Sequence, residues 1–97
     1  MDIEKTIDGK TASLKVIGRL DTVSSPQLET LLNELSNMDG IILDFEKLDY
    51  ISSAGLRVLL LAHKTFSRKS GLTVKNVGDA VMDVFKVTGF DDVLSIE

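Results

Sequence analysis

"DYISSAGLRVLLLAHK", Asp49–Lys64, places two adjacent hydroxyls, Ser52 and Ser53, directly in front of a long apolar run. Leu56, Leu59, Leu60 and His63 share one helical stripe of that run, with Ala62 and Phe66 beside it. Arg57, Lys64 and Arg68 occupy the opposite sector. Leu61 falls among them, either as an ordinary exposed leucine or as a contact for a partner. The spacing predicts a helix from about Ser53–Ala54 to about Lys69. A serine in front of such a helix is a natural N-cap. Capping needs only one hydroxyl, so the second has to be accounted for by the rest of the sequence.

Working outward, "IILDF" at Ile41–Phe45 is a β-branched apolar run expected to form a strand covered on one or both faces. Before it, Leu28, Leu31, Leu32 and Leu35 fall at i, i+3, i+4 and i+7, an amphipathic helix. Ser25 is its expected N-cap, with Pro26 in the first turn and Glu29 complementing the positive end. Met1–Ile7 and Thr11–Gly18 are partly alternating runs separated by Asp8-Gly9-Lys10, a strong hairpin signal. After the central helix come Gly71 and the strand-like "LTVKNV". A short third helix follows, expected to be capped by Asp79 and to face inward with Val81, Val84 and Phe85. Gly89 stops it, and "DVLSIE" is the expected last strand. The predicted order is ββαβαβαβ. It describes one α/β domain over residues 1–97, with a mixed, mostly parallel sheet of about five strands and three to four helices.

Bulk composition narrows the function. Ninety-seven residues suffice for one domain with its own core. Without cysteine, the chain has neither disulfides nor thiolate chemistry. The acidic, polar start has no signal-peptide core, and Val58–Ala62 is too short to span a bilayer, so a soluble, cytoplasmic protein with no membrane partner is expected. Eleven basic against fifteen acidic residues give a net charge of -4. The one basic cluster, Lys64, Arg68 and Lys69, reads as a solvated helix end, and aromatic residues are few, so no direct nucleic-acid contact is expected.

In parallel α/β sheets, ligands and partners gather at the carboxyl ends of strands. The loops there bring Asp21, Asp44, Asp49, Ser52 and Ser53 into consideration. A serine hydrolase is not supported. Ile51 stands where a nucleophile elbow has its first glycine, and the one histidine, His63, lies about 15 Å along the same helix. A phosphate-accepting Asp44, as in response-regulator receivers, lacks the acidic pair after the first strand and the lysine after the last. "GKTAS" at Gly9–Ser13 lacks the first glycine of a phosphate-binding loop. No catalytic residue, metal site or cofactor is expected. A hydroxyl at a helix start can nevertheless hold a phosphate favourably, so capping and switching are compatible roles.

"LDYISSAGLRVLLLAHK", preceded by "GRLDTVSSPQLETLL" and "GIILDFEKL" and followed by "VFKVTGFDDVL", resembles the sulfate-transporter and anti-sigma-factor-antagonist (STAS) family. More narrowly it is similar to the free-standing anti-sigma factor antagonists, along essentially the whole chain. That resemblance implies a binding module rather than an enzyme. An anti-sigma factor that is also a serine kinase would bind the unphosphorylated chain, phosphorylate it and release it, and a protein phosphatase would reset it. Aligned on Gly55-Leu56, the acceptor falls on Ser53, with Ser52 as the alternative where relatives often carry aspartate. The implied partner surface comprises Asp21 of the G-x-L-D motif, Ser24 and Ser25 at the first helix start, and Arg57 and Leu61. The other reading that the resemblance offers is a constitutive STAS adaptor, for example in a membrane lipid-transport complex.

Overall fold

The computed structural model describes all 97 residues. Strands β1 (Asp2–Asp8) and β2 (Thr11–Leu20) form the expected antiparallel hairpin, with Asp8 opposite Thr11. Its two-residue turn needs a positive φ at the first central position, and Gly9 supplies it at 61°. Helix α1 (Ser25–Glu34) follows, then β3 (Gly40–Asp44), β4 (Leu48–Ile51), α2 (Ser53–Phe66), β5 (Gly71–Lys75), α3 (Asp79–Thr88), a short 3-10 turn at Phe90–Asp92, and β6 (Ser95–Ile96).

The expected order ββαβαβαβ misses one strand. β4 makes the sheet six-stranded rather than five-stranded, and the order becomes ββαββαβαβ. Its four residues, "LDYI", bury only their ends, so neither an alternating nor a continuous apolar run marks them in the sequence. The pairing that creates β4 is tertiary. The first half of β2 lies parallel to β3, and its last residues, Gly18–Leu20, turn to β4 instead. The register shifts between Gly18 and Arg19, where Gly18 holds a φ of 104°. β2 is therefore longer than expected, running on to Leu20. α2 is shorter than expected: it ends at Phe66, and Ser67–Ser70 form turns.

β3, β5 and β6 continue the sheet in parallel, giving the order β1-β2-β3-β5-β6. Burial alternates along the strands. Ala12, Leu14 and Val16, then Ile41 and Leu43, then Leu72 and Val74 are buried under the helices. Ser13, Lys15, Asp44, Thr73 and Lys75 between them are only partly covered. The sheet is thus packed on one face, and a single apolar cluster of 22 residues, anchored by Phe45, Phe66 and Phe85, fills the space beneath the helices. On the open face the register aligns Glu4, Lys15, Asp44 and Lys75 in one row across four strands, alternating in sign. Burial pushes the Asp44 carboxyl up, but the Glu46 N–H, the Asn76 amide and the two flanking lysines outweigh it and hold it below its ordinary value.

Candidate site at the start of the second helix

The two serines divide the work at the start of α2. Ser52 is the N-cap: its backbone is extended (φ -100°, ψ 175°), and its hydroxyl oxygen accepts the Gly55 N–H at 3.4 Å. Ser53 is the first helical residue, is exposed, and makes no side-chain hydrogen bond within the protein. Removing the Ser52 hydroxyl should cost stability, and removing that of Ser53 should not. We expect Ser52→Ala to lose about 0.5–1 kcal/mol, at the lower end of cap substitutions because the bond is long. Ser53→Ala should lie within about 0.5 kcal/mol of wild type. Urea denaturation of both variants checks the pair.

This helix start is pinned to the end of β2. The Ser52 N–H donates to the Leu20 carbonyl at 2.9 Å. Gly55 permits the approach, since a Cβ there would lie 2.8 Å from Leu20 Cγ, 2.9 Å from Ile51 Cγ1 and 3.0 Å from the Leu20 carbonyl oxygen. Asp21, the next residue of β2's outgoing loop, therefore shares a corner with Ser52 and Ser53.

Asp21 itself organises the loop into α1. Its carboxylate accepts the N–H of Val23 at 3.1 Å and of Ser24 at 3.0 Å. The Ser24 hydroxyl oxygen accepts the Asp21 N–H at 2.9 Å, and its one proton lies between the Arg19 carbonyl at 2.7 Å and the Asp21 carboxylate at 3.1 Å. The Asp21 carboxyl is held below its ordinary value chiefly by the Ser24 N–H, then by the Ser24 hydroxyl, with Arg19 a minor contributor. A depressed folded-state pKa means stability that is present above the unfolded value, about 3.9, and lost as pH falls through the folded one. The stability gap between wild type and Asp21→Asn at pH 7 should therefore close below about pH 4, as thermal melts across pH 2–7 would reveal.

Three expectations for the α1 start need correction. Glu29 lies beyond the first turn, which holds no acidic residue. The N-cap position of α1 is Ser24, not Ser25, and the Ser24 side chain bonds the preceding loop rather than the helix. Ser25 is 3% exposed, and its hydroxyl donates to the Asp21 carbonyl. It is a buried pin of the turn and offers a partner nothing to touch. Similarly, Gly78 rather than Asp79 is the N-cap of α3, and Asp79 contributes negative charge within the first turn.

Arg57 and Leu61 lie one and two turns beyond Ser53, and both are exposed. Leu61, 41% exposed, borders a shallow groove between α1 and α2 that Glu29, Leu32, Val58 and Phe66 also line. It stands about 12 Å along the helix from Ser53, so it belongs to the same face but not to the Asp21 corner. Three surface residues at that corner escape sequence reasoning. Arg19 stacks on the Tyr50 ring, its guanidinium carbon 4.1 Å from the centroid, and reaches Asp21 at 3.8 Å. Tyr50 lies on the unexpected β4, directly across from Arg19. Val23 is 89% exposed, an apolar residue in an otherwise polar loop. No three His, Asp or Glu side chains come together as a metal site, and no helix is long and apolar enough to cross a membrane.

A one-faced mixed sheet, a hairpin lead-in and a serine-capped helix pinned at a G-x-L-D strand end define a class of small binding domain. The family model described as "Mlab, STAS domain" matches residues 3–95, and the chain belongs to the STAS domain family. It is similar to the anti-sigma-B factor antagonist of Staphylococcus aureus, 29% identical over 100 aligned positions that take in 99% of this chain and 92% of that protein. Among solved structures, an anti-sigma factor antagonist from Mycobacterium paratuberculosis superposes with a TM-score of 0.88 at 20% identity, covering 98% of this chain and 83% of that one. The Bacillus cell fate determinant SpoIIAA in its phosphorylated form gives 0.77 at 18% identity, over 99% and 91% of the two chains. These relatives are anti-sigma factor antagonists, which are regulatory binding proteins rather than enzymes.

Proposed function

We propose that this chain is an anti-sigma factor antagonist controlled by phosphorylation of Ser53. The observation that carries the reading is the division of labour between Ser52 and Ser53. One hydroxyl caps the helix, and its neighbour, exposed at the first helical position, is not used by the fold. The names of the relatives and the phosphorylated state of SpoIIAA support the same reading. In it, the unmodified surface around Asp21, Ser24, Ser53, Arg57 and Leu61 binds an anti-sigma factor with serine kinase activity. That kinase moves the terminal phosphoryl group of ATP to the Ser53 oxygen, breaking the bond to ADP and releasing the hydroxyl proton. The phosphate adds roughly -1.5 to -2 charges beside Asp21, which Ser24 keeps ionised. The complex then dissociates, and a phosphatase resets the chain. In this reading the protein acts in the cytoplasm.

The test is the intact mass of the protein after incubation with ATP and extract from its cell of origin, followed by tryptic mapping. Ser53 lies in the peptide Leu48–Arg57. One phosphate on Ser53 is the expected result. Phosphate on Ser52 would assign the acceptor to the cap instead. A second reading, a constitutive adaptor that uses the same face without an acceptor, draws on the matched family model's own description. An unmodified chain under every condition would favour it.

A further inference from the structure

Ser53, Arg57, Leu61 and Lys64 follow one another at spacings of four, four and three residues, and all four are exposed. They therefore form a single stripe along α2. No Asp or Glu occurs anywhere in this helix. Arg57 also has no ionic partner elsewhere: the chain's one ion pair joins Arg19 to Asp21, and its two cation–π contacts belong to Arg19 and Lys69. Arg19 and Asp21 at the corner are thus paired with each other, and Arg57 stands one turn from Ser53 with no ionic partner of its own.

From this arrangement we infer that Arg57 is the internal receptor for a phosphate on Ser53, and that modification acts partly by withdrawing Arg57 from the partner-binding face. The inference rests on the phosphoacceptor reading of Ser53. An anion four residues N-terminal to a cation is the favourable order for a helical pair. The guanidinium can also meet phosphate oxygens with two parallel N–H donors. Asp21, on the strand-end side, repels the phosphate, and the pull from Arg57 comes along the helix. An unmodified chain offers the guanidinium of Arg57 to a carboxylate on the partner. A modified one has that guanidinium engaged by its own phosphate.

Simple repulsion and withdrawal of Arg57 make different demands on the phosphate, and these can be read without any partner. Phosphoserine is installed at position 53 during translation, and the phosphate is titrated by phosphorus NMR in three backgrounds: wild type, Arg57→Gln and Lys64→Gln. A free phosphoserine has its second pKa near 6, and pairing with a cation lowers it. Arg57→Gln should raise that pKa by about half a unit relative to the wild-type background. Lys64→Gln, about 16 Å along the helix, should leave it in place. Arg57→Lys should restore most of the lowering. Equal titrations in the wild-type and Arg57→Gln backgrounds, or equal shifts from Arg57→Gln and Lys64→Gln, would overturn the inference. Neither kinase nor anti-sigma factor enters the measurement. Failure to find phosphate on Ser53 in the cell would therefore sink the switch reading and with it the role of Arg57, whereas a flat titration would sink the role of Arg57 and leave the switch reading standing.

Discussion

Ser53→Asp should weaken binding to the cognate anti-sigma factor about ten- to a hundredfold, and Ser53→Ala should bind as tightly as the unmodified protein. The two variants separate charge from shape. Ser53 is exposed at the first position of α2 and does not cap it, so neither change disturbs the helix start. Aspartate at the first turn is, if anything, favoured by the helix dipole, so the variant folds as well as wild type. Any loss of affinity must then arise at the surface. The expected range corresponds to about 1.4–2.8 kcal/mol, reasonable for a new charge on an interface beside an ionised aspartate. Calorimetric titration of the three proteins against the anti-sigma factor is the direct check. Identical affinities would remove the electrostatic account, and the constitutive adaptor would become the better description.

Gly55→Ala should destabilise the fold by about 1–3 kcal/mol, although alanine is the better helix former by about 1 kcal/mol. Two effects compete, and the distances decide between them. At an ordinary helical position the propensity gain would win. Here the added methyl would sit 2.8 Å from Leu20 Cγ and 2.9 Å from Ile51 Cγ1, side chains that are both buried and have little room to move. It would also sit 3.0 Å from the Leu20 carbonyl oxygen, the acceptor of the Ser52 N–H. Relief requires the helix start to move away from β2, which strains that hydrogen bond. A melt that shows Gly55→Ala to be as stable as wild type would mean that the helix start yields easily. Binding should suffer as well, because the displaced segment carries Ser53.

Much of this architecture is legible in local pattern. The Asp-Gly hairpin, the leucine stripe of α1 and the helix behind the paired serines depend on neighbours within one or two turns of chain. β4 depends on something else. Its residues become a strand only because β2 bends at Gly18 and presents a second edge to them. The same holds at the site. That one of two serines would cap could be reasoned, and Ser53 was placed by resemblance. The burial of Ser25 and the stacking of Arg19 on Tyr50 are tertiary outcomes, invisible to periodicity. The reason for Gly55 was also hidden, since nothing local distinguishes a glycine that ends a cap from one that admits a neighbouring strand.

The contact between α2 and β2 has one further consequence. With no room for even a methyl group between them, the backbone beneath Ser53 is packed directly on the end of β2. Under the proposed switch, a mark written on that hydroxyl would alter the surface and leave the scaffold as it was. The molecule would then store one bit of information without refolding to record it or to erase it. Writer, reader and eraser would all meet the same shape and differ only in the charge they find there.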